Sequence, residues 1–174
     1  MGQKALFLDR DGVINVNKGY VSHPLDFELL PGILDVCKRA KDLGYLLIVV
    51  TNQSGIARGY YCQQDFLELN AHMQALLRAY GGVGLDAIYH CPHLPRARCA
   101  CRKPNLGMLE LALRDFAINL DQSIMLGDQW SDMQFGLGAG FGINLWLKPS
   151  SSFLPHRRLF KIDHLQQVPE FLKL

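Results

Sequence analysis

Short apolar runs alternate with helical stretches along this chain, and this alternation constrains its fold more than any other feature. Strands without a polar face are buried on both sides, which is typical of parallel sheets covered by helices. The alternation therefore predicts an α/β fold, a Rossmann-like parallel sheet with helices on both faces, in one domain over residues 1–174. The predicted strands are KALFL (4–8), YLLIVV (45–50), AIYH (87–90), SIML (123–126) and GINLWL (142–147).

The segments between these runs carry apolar residues at helical spacing. The first helix is expected to begin at Pro31, because proline is well placed in a first helical turn. The tail LQQVPEFLKL (165–174) is predicted to form a capping helix. The insertion at 15–30 is too short for a full cap domain. Before this tail, the predicted helices span residues 31–43, 63–80, 106–116 and 132–137.

Composition is that of an ordinary globular protein, with 49% hydrophobic and 20% charged residues. The formal net charge is +2, so any positive field must be local. No segment approaches the ~20 apolar residues that a membrane-spanning helix needs, and the N-terminus lacks a signal-peptide pattern. We therefore expect a cytoplasmic monomer with no membrane or nucleic-acid partner.

Polar side chains follow the predicted strands, and ligands of parallel sheets bind beyond those strand ends. Asp9 and Asp11 follow the first strand, and residues two apart in an extended segment point the same way. Two carboxylates this close do not both stay ionised without help, so Mg²⁺ or a shared proton is expected between them. Asp128 follows the fourth strand and offers a third oxygen ligand of the kind that Mg²⁺ prefers.

Further polar groups at the strand ends suit a phosphate group. Thr51 ends the second strand and offers a hydroxyl, while Lys103 supplies a point charge and Arg102 a planar fork. Taken singly, these features have ordinary explanations: Asp-x-Asp-Gly is usually a turn, and Thr-Asn after a strand is usually a helix cap. Four such features in order, each at a strand end, favour an active site.

Four motifs resemble, in order, those of the haloacid dehalogenase superfamily of phosphatases: FLDRDGVIN, VVTNQSG, CRKP and LGDQWSD. The resemblance covers essentially the whole chain. It implies a phosphomonoester hydrolase in which Asp9 is the nucleophile and Asp11 is the general acid and then the base. It further implies Mg²⁺ bound by Asp9, the Asp11 carbonyl and Asp128. Thr51 and Lys103 would stabilise the phosphoryl oxygens as charge builds on them.

Within the superfamily, NVNKGYV, TNQSGIARGYY and the CPH…CxCRKP loop resemble the branch that removes the 7-phosphate of heptose 1,7-bisphosphate, a lipopolysaccharide precursor. The branch that acts on histidinol phosphate is the alternative. Gln129 stands where the heptose branch often has Lys, which removes a cation near the substrate. Asp132 is expected to support the metal ligands or to cap the next helix. The resemblance places around the sugar phosphate Asn17, Lys18, Gly19, Tyr20, Thr51, Asn52, Gln53, Ser54, Arg102 and Lys103.

The segment CPHLPRARCAC (91–101) holds three of the five cysteines and a histidine. In a reducing cytosol, clustered thiols bind metal more often than they form disulfides. A full Cys₃His set closes a tetrahedral Zn²⁺ site and leaves no position for water, so we expect structural zinc that orders the loop before Arg102 and Lys103. Free surface thiols are the plainer alternative. The four predicted ligands are Cys91, His93, Cys99 and Cys101.

A zinc-ribbon module that binds nucleic acid is the non-enzymatic alternative. It would carry clustered basic residues with interleaved aromatics and no intact Asp pair, whereas the basic run RARCACRK is short and the pair is intact. Cys37 and Cys62 are expected at a half-buried helix position and a loop position, without function. Of the remaining histidines, none has ligand spacing, and only His23 is expected beside the site.

Overall fold

A computed structural model describes residues 2–149 and 156–172 of the chain. Its centre is a sheet with the strand order β3-β2-β1-β4-β5-β6, in which every pairing between neighbouring strands is parallel. Helices cover both faces, so the predicted α/β fold class is confirmed. The strands are β1 (Ala5–Leu8), β2 (Leu46–Asn52), β3 (Ala87–Cys91), β4 (Ile124–Gly127), β5 (Ile143–Leu147) and β6 (Leu159–Ile162).

Alternate strand residues enter two separate cores, one on each face of the sheet. In β1, Leu6 and Leu8 pack with residues of the first two helices. Ala5 and Phe7 pack on the other face with residues of the last two helices. Burial on both faces explains why the strand segments carry almost no polar residues. The helices are α1 (Ile33–Asp42), α2 (Gln63–Gly81), α3 (Gly107–Asp115) and α4 (Trp130–Ala139).

The strand order places a crevice at the carboxyl ends of β1 and β4. The chain runs outward from β1 to β2 and β3, and then returns to the other side of β1 for β4, β5 and β6. Connections therefore leave these two strand ends in opposite directions, which is where open α/β sheets bind ligands. The backbone N–H of Asp9 donates to the carbonyl of Leu126 at 3.0 Å and holds the two ends together.

The start of α1 differs from the prediction. Gly32, with φ of 95°, is the N-cap, so the helix begins at Ile33 and Pro31 precedes it. The left-handed conformation of Gly32 turns the chain into the helix, which proline cannot do with its φ near −65°. Cys37 is fully buried in α1 rather than half-buried, because it faces the core with Val36.

The start of α4 also differs from the prediction, and the capping residue changes with it. The helix begins at Trp130, two residues earlier than expected, because Gln129 and Asp132 form a capping box. Asp132 is therefore the third helical residue and not the N-cap. Cys62, expected in a loop, is the exposed N-cap of α2.

The sixth strand was missed because β6 has only four residues, one of them the exposed Lys161. The tail forms a 3₁₀ helix over Leu165–Glu170 rather than an α-helix, and Pro169 inside it lacks the N–H that an α-helix would use. Lys173 and Leu174, the end of the predicted capping helix, lie outside the described residues. Among those described, no helix has both the length and the apolar character needed to cross a membrane.

Candidate active site

A polar cavity of about 370 Å³ lies at the crevice. Most of the residues predicted for catalysis, substrate binding and Mg²⁺ binding line it. The two exceptions are Lys18, which pairs with Glu28 at 3.0 Å on the surface, and Lys103, which is buried behind the cavity wall. The predicted residues that line the cavity are Asp9, Asp11, Asn17, Gly19, Tyr20, Thr51, Asn52, Gln53, Ser54, Arg102 and Asp128.

Lys103 places a buried positive charge between two carboxylates. Its Nζ lies 3.1 Å from Asp9 Oδ1 and 2.8 Å from Asp132 Oδ1, and it donates to the carbonyl of Val50 at 2.6 Å. Burial opposes the charge, but Asp132 and Asp9 outweigh it and raise the pKa of Lys103 above its usual value. The ammonium group therefore stays protonated at neutral pH.

The backbone of Lys103 is held by Asn52 at the end of β2. The Asn52 side chain accepts from the Lys103 N–H at 3.0 Å and donates to the Lys103 carbonyl at 3.2 Å. From the sequence, Asn52 was expected only at the sugar phosphate. Neither its contact with Lys103 nor the pairing of Asp132 with Lys103 was predicted. These residues are far apart along the chain, so their spacing carries no signal of the contact.

Asp9 and Asp128 form an acidic pair at the crevice. Burial raises the pKa of Asp9 to about 6, although Lys103 opposes the shift. Burial also raises the pKa of Asp128 to about 6, with a further contribution from the charge of Asp9. Asp128 Oδ1 is buried without a hydrogen-bond partner. An acidic pair whose charge is disfavoured and a buried oxygen without a donor both suit a cation.

The donor set fits Mg²⁺, which prefers carboxylate oxygens. One oxygen each from Asp9, Asp128 and Asp132 lies within 4.8 Å of the others. Asp132 is committed to the buried lysine and to the N–H of Gln129 at 3.0 Å, so the other two residues would supply the charged ligands. The lack of a side chain at Gly12 permits the approach of Asp128 to the loop after β1. The φ of Gly12 is 89°, and a Cβ there would overlap the Asp128 carboxylate.

The carboxylate of Asp11 is held by three neighbouring side chains. Arg10 Nη2 lies 3.0 and 2.9 Å from its two oxygens, and Asn15 Nδ2 donates to Oδ1 at 3.0 Å. Gln53 Nε2 donates to Oδ2 at 2.9 Å. These partners were not predicted from the sequence, because the direction of each side chain depends on how the loops after β1 and β2 fold. The carboxylate thus has a defined direction at the cavity wall.

Aromatic side chains at the cavity rim join the loops that follow β1 and β2. The rings of Tyr20 and Tyr60 meet edge-on with their centroids 4.8 Å apart, and Arg58 Cζ lies 5.9 Å from the centroid of the Tyr20 ring. His23, expected beside the site, is not among the residues that line the cavity. It is exposed, and its Nδ1 accepts from the N–H of Leu25 at 3.2 Å.

The four predicted zinc ligands come together at the end of β3. Their ligand atoms all lie within 4.8 Å of one another. Sγ of Cys99 is 3.5 Å from that of Cys91 and 3.6 Å from that of Cys101, and His93 Nδ1 is 3.2 Å from Cys101 Sγ. Tetrahedral zinc with its usual bond lengths separates such ligands by about 3.5–3.8 Å. The donor set and its spacing therefore fit Zn²⁺.

Known proteins are similar to this chain over most of its length. A HAD-hydrolase-like family model matches residues 100–148. A D-glycero-beta-D-manno-heptose-1,7-bisphosphate 7-phosphatase from Helicobacter pylori is 50% identical over 153 residues, which cover 88% of each chain. A D-glycero-alpha-D-manno-heptose-1,7-bisphosphate 7-phosphatase from Campylobacter jejuni is 44% identical, covering 99% of this chain and 98% of its own. The solved D,D-heptose 1,7-bisphosphate phosphatase from B. bronchiseptica, complexed with magnesium and phosphate, matches with a TM-score of 0.85 at 31% identity, covering 96% of each chain.

The sheet, the acidic pair at its crevice and these similarities together define the class of protein. The chain belongs to the haloacid dehalogenase superfamily and is a phosphatase. Within that superfamily, it is similar to the heptose-bisphosphate phosphatases, as the resemblance of its motifs predicted.

Proposed function

We propose that the protein removes the 7-phosphate of D-glycero-D-manno-heptose 1,7-bisphosphate. The observation that carries this proposal is the 50% identity to the H. pylori enzyme of that name over 88% of the chain. The cavity supports it, because about 370 Å³ with polar walls has room for a sugar phosphate. No large cap domain covers the cavity among the described residues, which suits a substrate that brings its own bulk and a second phosphate.

In the first step, Asp9 attacks phosphorus. Its Oδ1 is engaged by the Lys103 ammonium at 3.1 Å and by the N–H of Arg10 at 2.7 Å, which leaves Oδ2 for the attack. The bond from Oδ2 to phosphorus forms while the bond from phosphorus to the sugar oxygen breaks. Asp11 gives its proton to that leaving oxygen. The products are an aspartyl phosphate and a heptose monophosphate.

In the second step, water attacks the aspartyl phosphate. Asp11 takes the proton from this water, since a carboxyl that has given its proton is the base for the next step. The bond between phosphorus and Asp9 breaks, and inorganic phosphate leaves. Thr51 and Lys103 stabilise the phosphoryl oxygens in both steps. The Thr51 hydroxyl oxygen accepts from Gln53 Nε2 at 2.9 Å, so its own proton is available to a phosphoryl oxygen.

The proposal includes Mg²⁺ bound by Asp9, the Asp11 carbonyl and Asp128. When bound, it supplies positive charge that neutralises the phosphoryl oxygens during transfer. The magnesium in the B. bronchiseptica relative supports this assignment.

Turnover of two substrates tests the proposal. With Mg²⁺ present, we expect kcat/KM for heptose 1,7-bisphosphate to exceed that for histidinol phosphate by about 100-fold or more, because binding groups matched to one substrate are left unpaired by the other. Phosphate release should be measured on both anomers, since the names of the relatives include each. A higher kcat/KM on histidinol phosphate would favour the alternative branch.

We also propose that Cys91, His93, Cys99 and Cys101 hold structural Zn²⁺. The metal would order the loop that carries Arg102, whose guanidinium donates to the His93 carbonyl at 3.3 Å. Such thiol ligands need a reducing compartment, which supports a cytoplasmic location for the protein. We expect it to act there as a monomer on a small sugar phosphate, without a nucleic-acid or membrane partner.

Cys99→Ser is expected to lower the zinc content and reduce kcat/KM about 100-fold, because an error of ~1 Å in the cationic groups beyond the loop can cost that much. Added Mg²⁺ should not restore activity, since the two metals prefer different ligands. Metal analysis and phosphate release measure both effects, and Cys62→Ser, an exposed thiol outside the cluster, is the matched control. Full activity with zinc and no Mg²⁺ would contradict a structural zinc.

A further inference from the structure

Gln53 is a buried glutamine whose side-chain amide makes four hydrogen bonds. Its Oε1 accepts from the Tyr61 hydroxyl and from Arg10 Nη2 at 3.3 Å. Its Nε2 donates to Asp11 Oδ2 and to Thr51 Oγ1, each at 2.9 Å. Two donors and two acceptor positions are the full capacity of an amide group. A reversed amide would set its NH₂ against the Arg10 guanidinium and its oxygen against the Asp11 carboxylate, so these two partners define one orientation.

Tyr61 reaches Gln53 because Gly55 has no side chain. An ideal Cβ at position 55 would overlap the Tyr61 ring, so the ring packs directly over the backbone of the turn that follows β2. Only 8% of Tyr61 is exposed, and its hydroxyl points into the network rather than into solvent. The Tyr61 hydroxyl thus binds the carbonyl oxygen of the Gln53 amide, and the NH₂ group of the amide faces Asp11.

Arg10 anchors the other end of the network. It is fully buried, and its Nη2 contacts both oxygens of Asp11 and donates to the carbonyl of Val21 at 2.8 Å. Because the same nitrogen also donates to Gln53, the loops after β1 and β2 meet at Asp11. A carboxylate held from both loops keeps one direction in the cavity.

We propose that Tyr61 and Gln53 are positioning residues for Asp11: the Tyr61 hydroxyl orients the Gln53 amide, and the amide directs the Asp11 carboxyl toward the leaving oxygen. This inference rests on the acid role of Asp11 in the proposed function. A general acid must lie within hydrogen-bond reach of the leaving oxygen, so a loosened carboxyl slows the departure of poor leaving groups most. A sugar alkoxide is such a group, whereas p-nitrophenolate leaves without protonation.

Tyr61→Phe tests the inference, because it removes one hydroxyl and keeps the ring. The first-turnover rate should fall about tenfold for the heptose bisphosphate, which is a fraction of what a general acid contributes to the rate. For p-nitrophenyl phosphate it should fall less than about twofold. Gln53→Met should slow both substrates, because the amide also holds Thr51, but the loss should be larger for the heptose bisphosphate. Tyr80→Phe, which removes an exposed hydroxyl at the end of α2, should change neither rate. Equal losses on both substrates would overturn the inference.

A double-mutant cycle distinguishes positioning from direct contact with the sugar, since Tyr61 also lines the cavity. In an Asp11→Asn background, Tyr61→Phe should cost less than about twofold more on the heptose bisphosphate, because residues that act as a unit are not additive. A full additional tenfold loss, or a raised KM with unchanged kcat, would overturn the inference and leave the proposed function intact. If Asp11→Asn alone slows both substrates equally, the acid role of Asp11 fails and the inference fails with it.

Discussion

The Asp9→Asn enzyme is expected to release phosphate about 10⁴-fold more slowly than the parent, or slower still, as is typical when a nucleophile is removed. An amide oxygen does not attack phosphorus, and the proposed Mg²⁺ site loses a charged ligand. The fold should persist, because the amide oxygen can still accept from Lys103 and from the N–H of Arg10. Steady-state phosphate release from the heptose bisphosphate measures the effect.

Stability provides an independent check on Asp9. Its pKa of about 6 in the folded protein lies above the usual value, so the stability it contributes is present at low pH and is lost as the pH rises through 6. A neutral side chain avoids that loss, and metal-free Asp9→Asn should unfold at pH 7.5 at no lower a temperature than the parent. Asp35→Asn, on the exposed face of α1, is the control for both measurements. Phosphate release within tenfold of the parent would remove Asp9 from the nucleophile role.

Lys103→Met is expected to combine a large loss of activity with a large loss of stability. The change removes the charge beside Asp9, and loss of one preorganised group that stabilises developing charge costs about 10²–10³-fold in kcat. It also leaves Asp9 and Asp132 buried without their cation, which costs about 3–5 kcal/mol of unfolding free energy. Phosphate release and denaturant unfolding measure the two effects separately.

Two further variants control for the Lys103 prediction. Lys41→Met breaks a partly exposed pair with Asp86 at 2.5 Å and should cost about 1 kcal/mol or less, without loss of activity. The double variant Lys103→Met, Asp132→Asn should regain part of the stability lost in Lys103→Met, because Asp132 no longer carries a charge while Asp9 stays unpaired. It should regain none of the activity. An unfolding free energy for Lys103→Met equal to that of Lys41→Met would show that the buried cation is not needed for the fold.

Five of the six strands, the meeting of the carboxylates at the crevice and the Cys₃His cluster could be predicted from sequence because each depends on short-range patterns. A strand buried on both faces must be apolar along its length, so β1 and β2 were evident. Parallel strands bring their carboxyl ends to one edge whatever their order, so Asp9 and Asp128 were expected to meet. The four residues of the Cys₃His cluster lie within the eleven consecutive residues of CPHLPRARCAC, where spacing alone indicates a metal site.

The tertiary structure decided which polar groups hold the candidate site together. Asn52 and Gln53 were assigned to the sugar phosphate from their motif; both line the cavity, and their amides also bind the Lys103 backbone and the Asp11 carboxylate. Lys103 meets Asp132, and Tyr61 meets Gln53, through contacts whose geometry no local pattern encodes. The physical reason is that secondary structure follows from the period of apolar residues. The direction of a buried polar side chain instead follows from the donors and acceptors that distant segments bring to it.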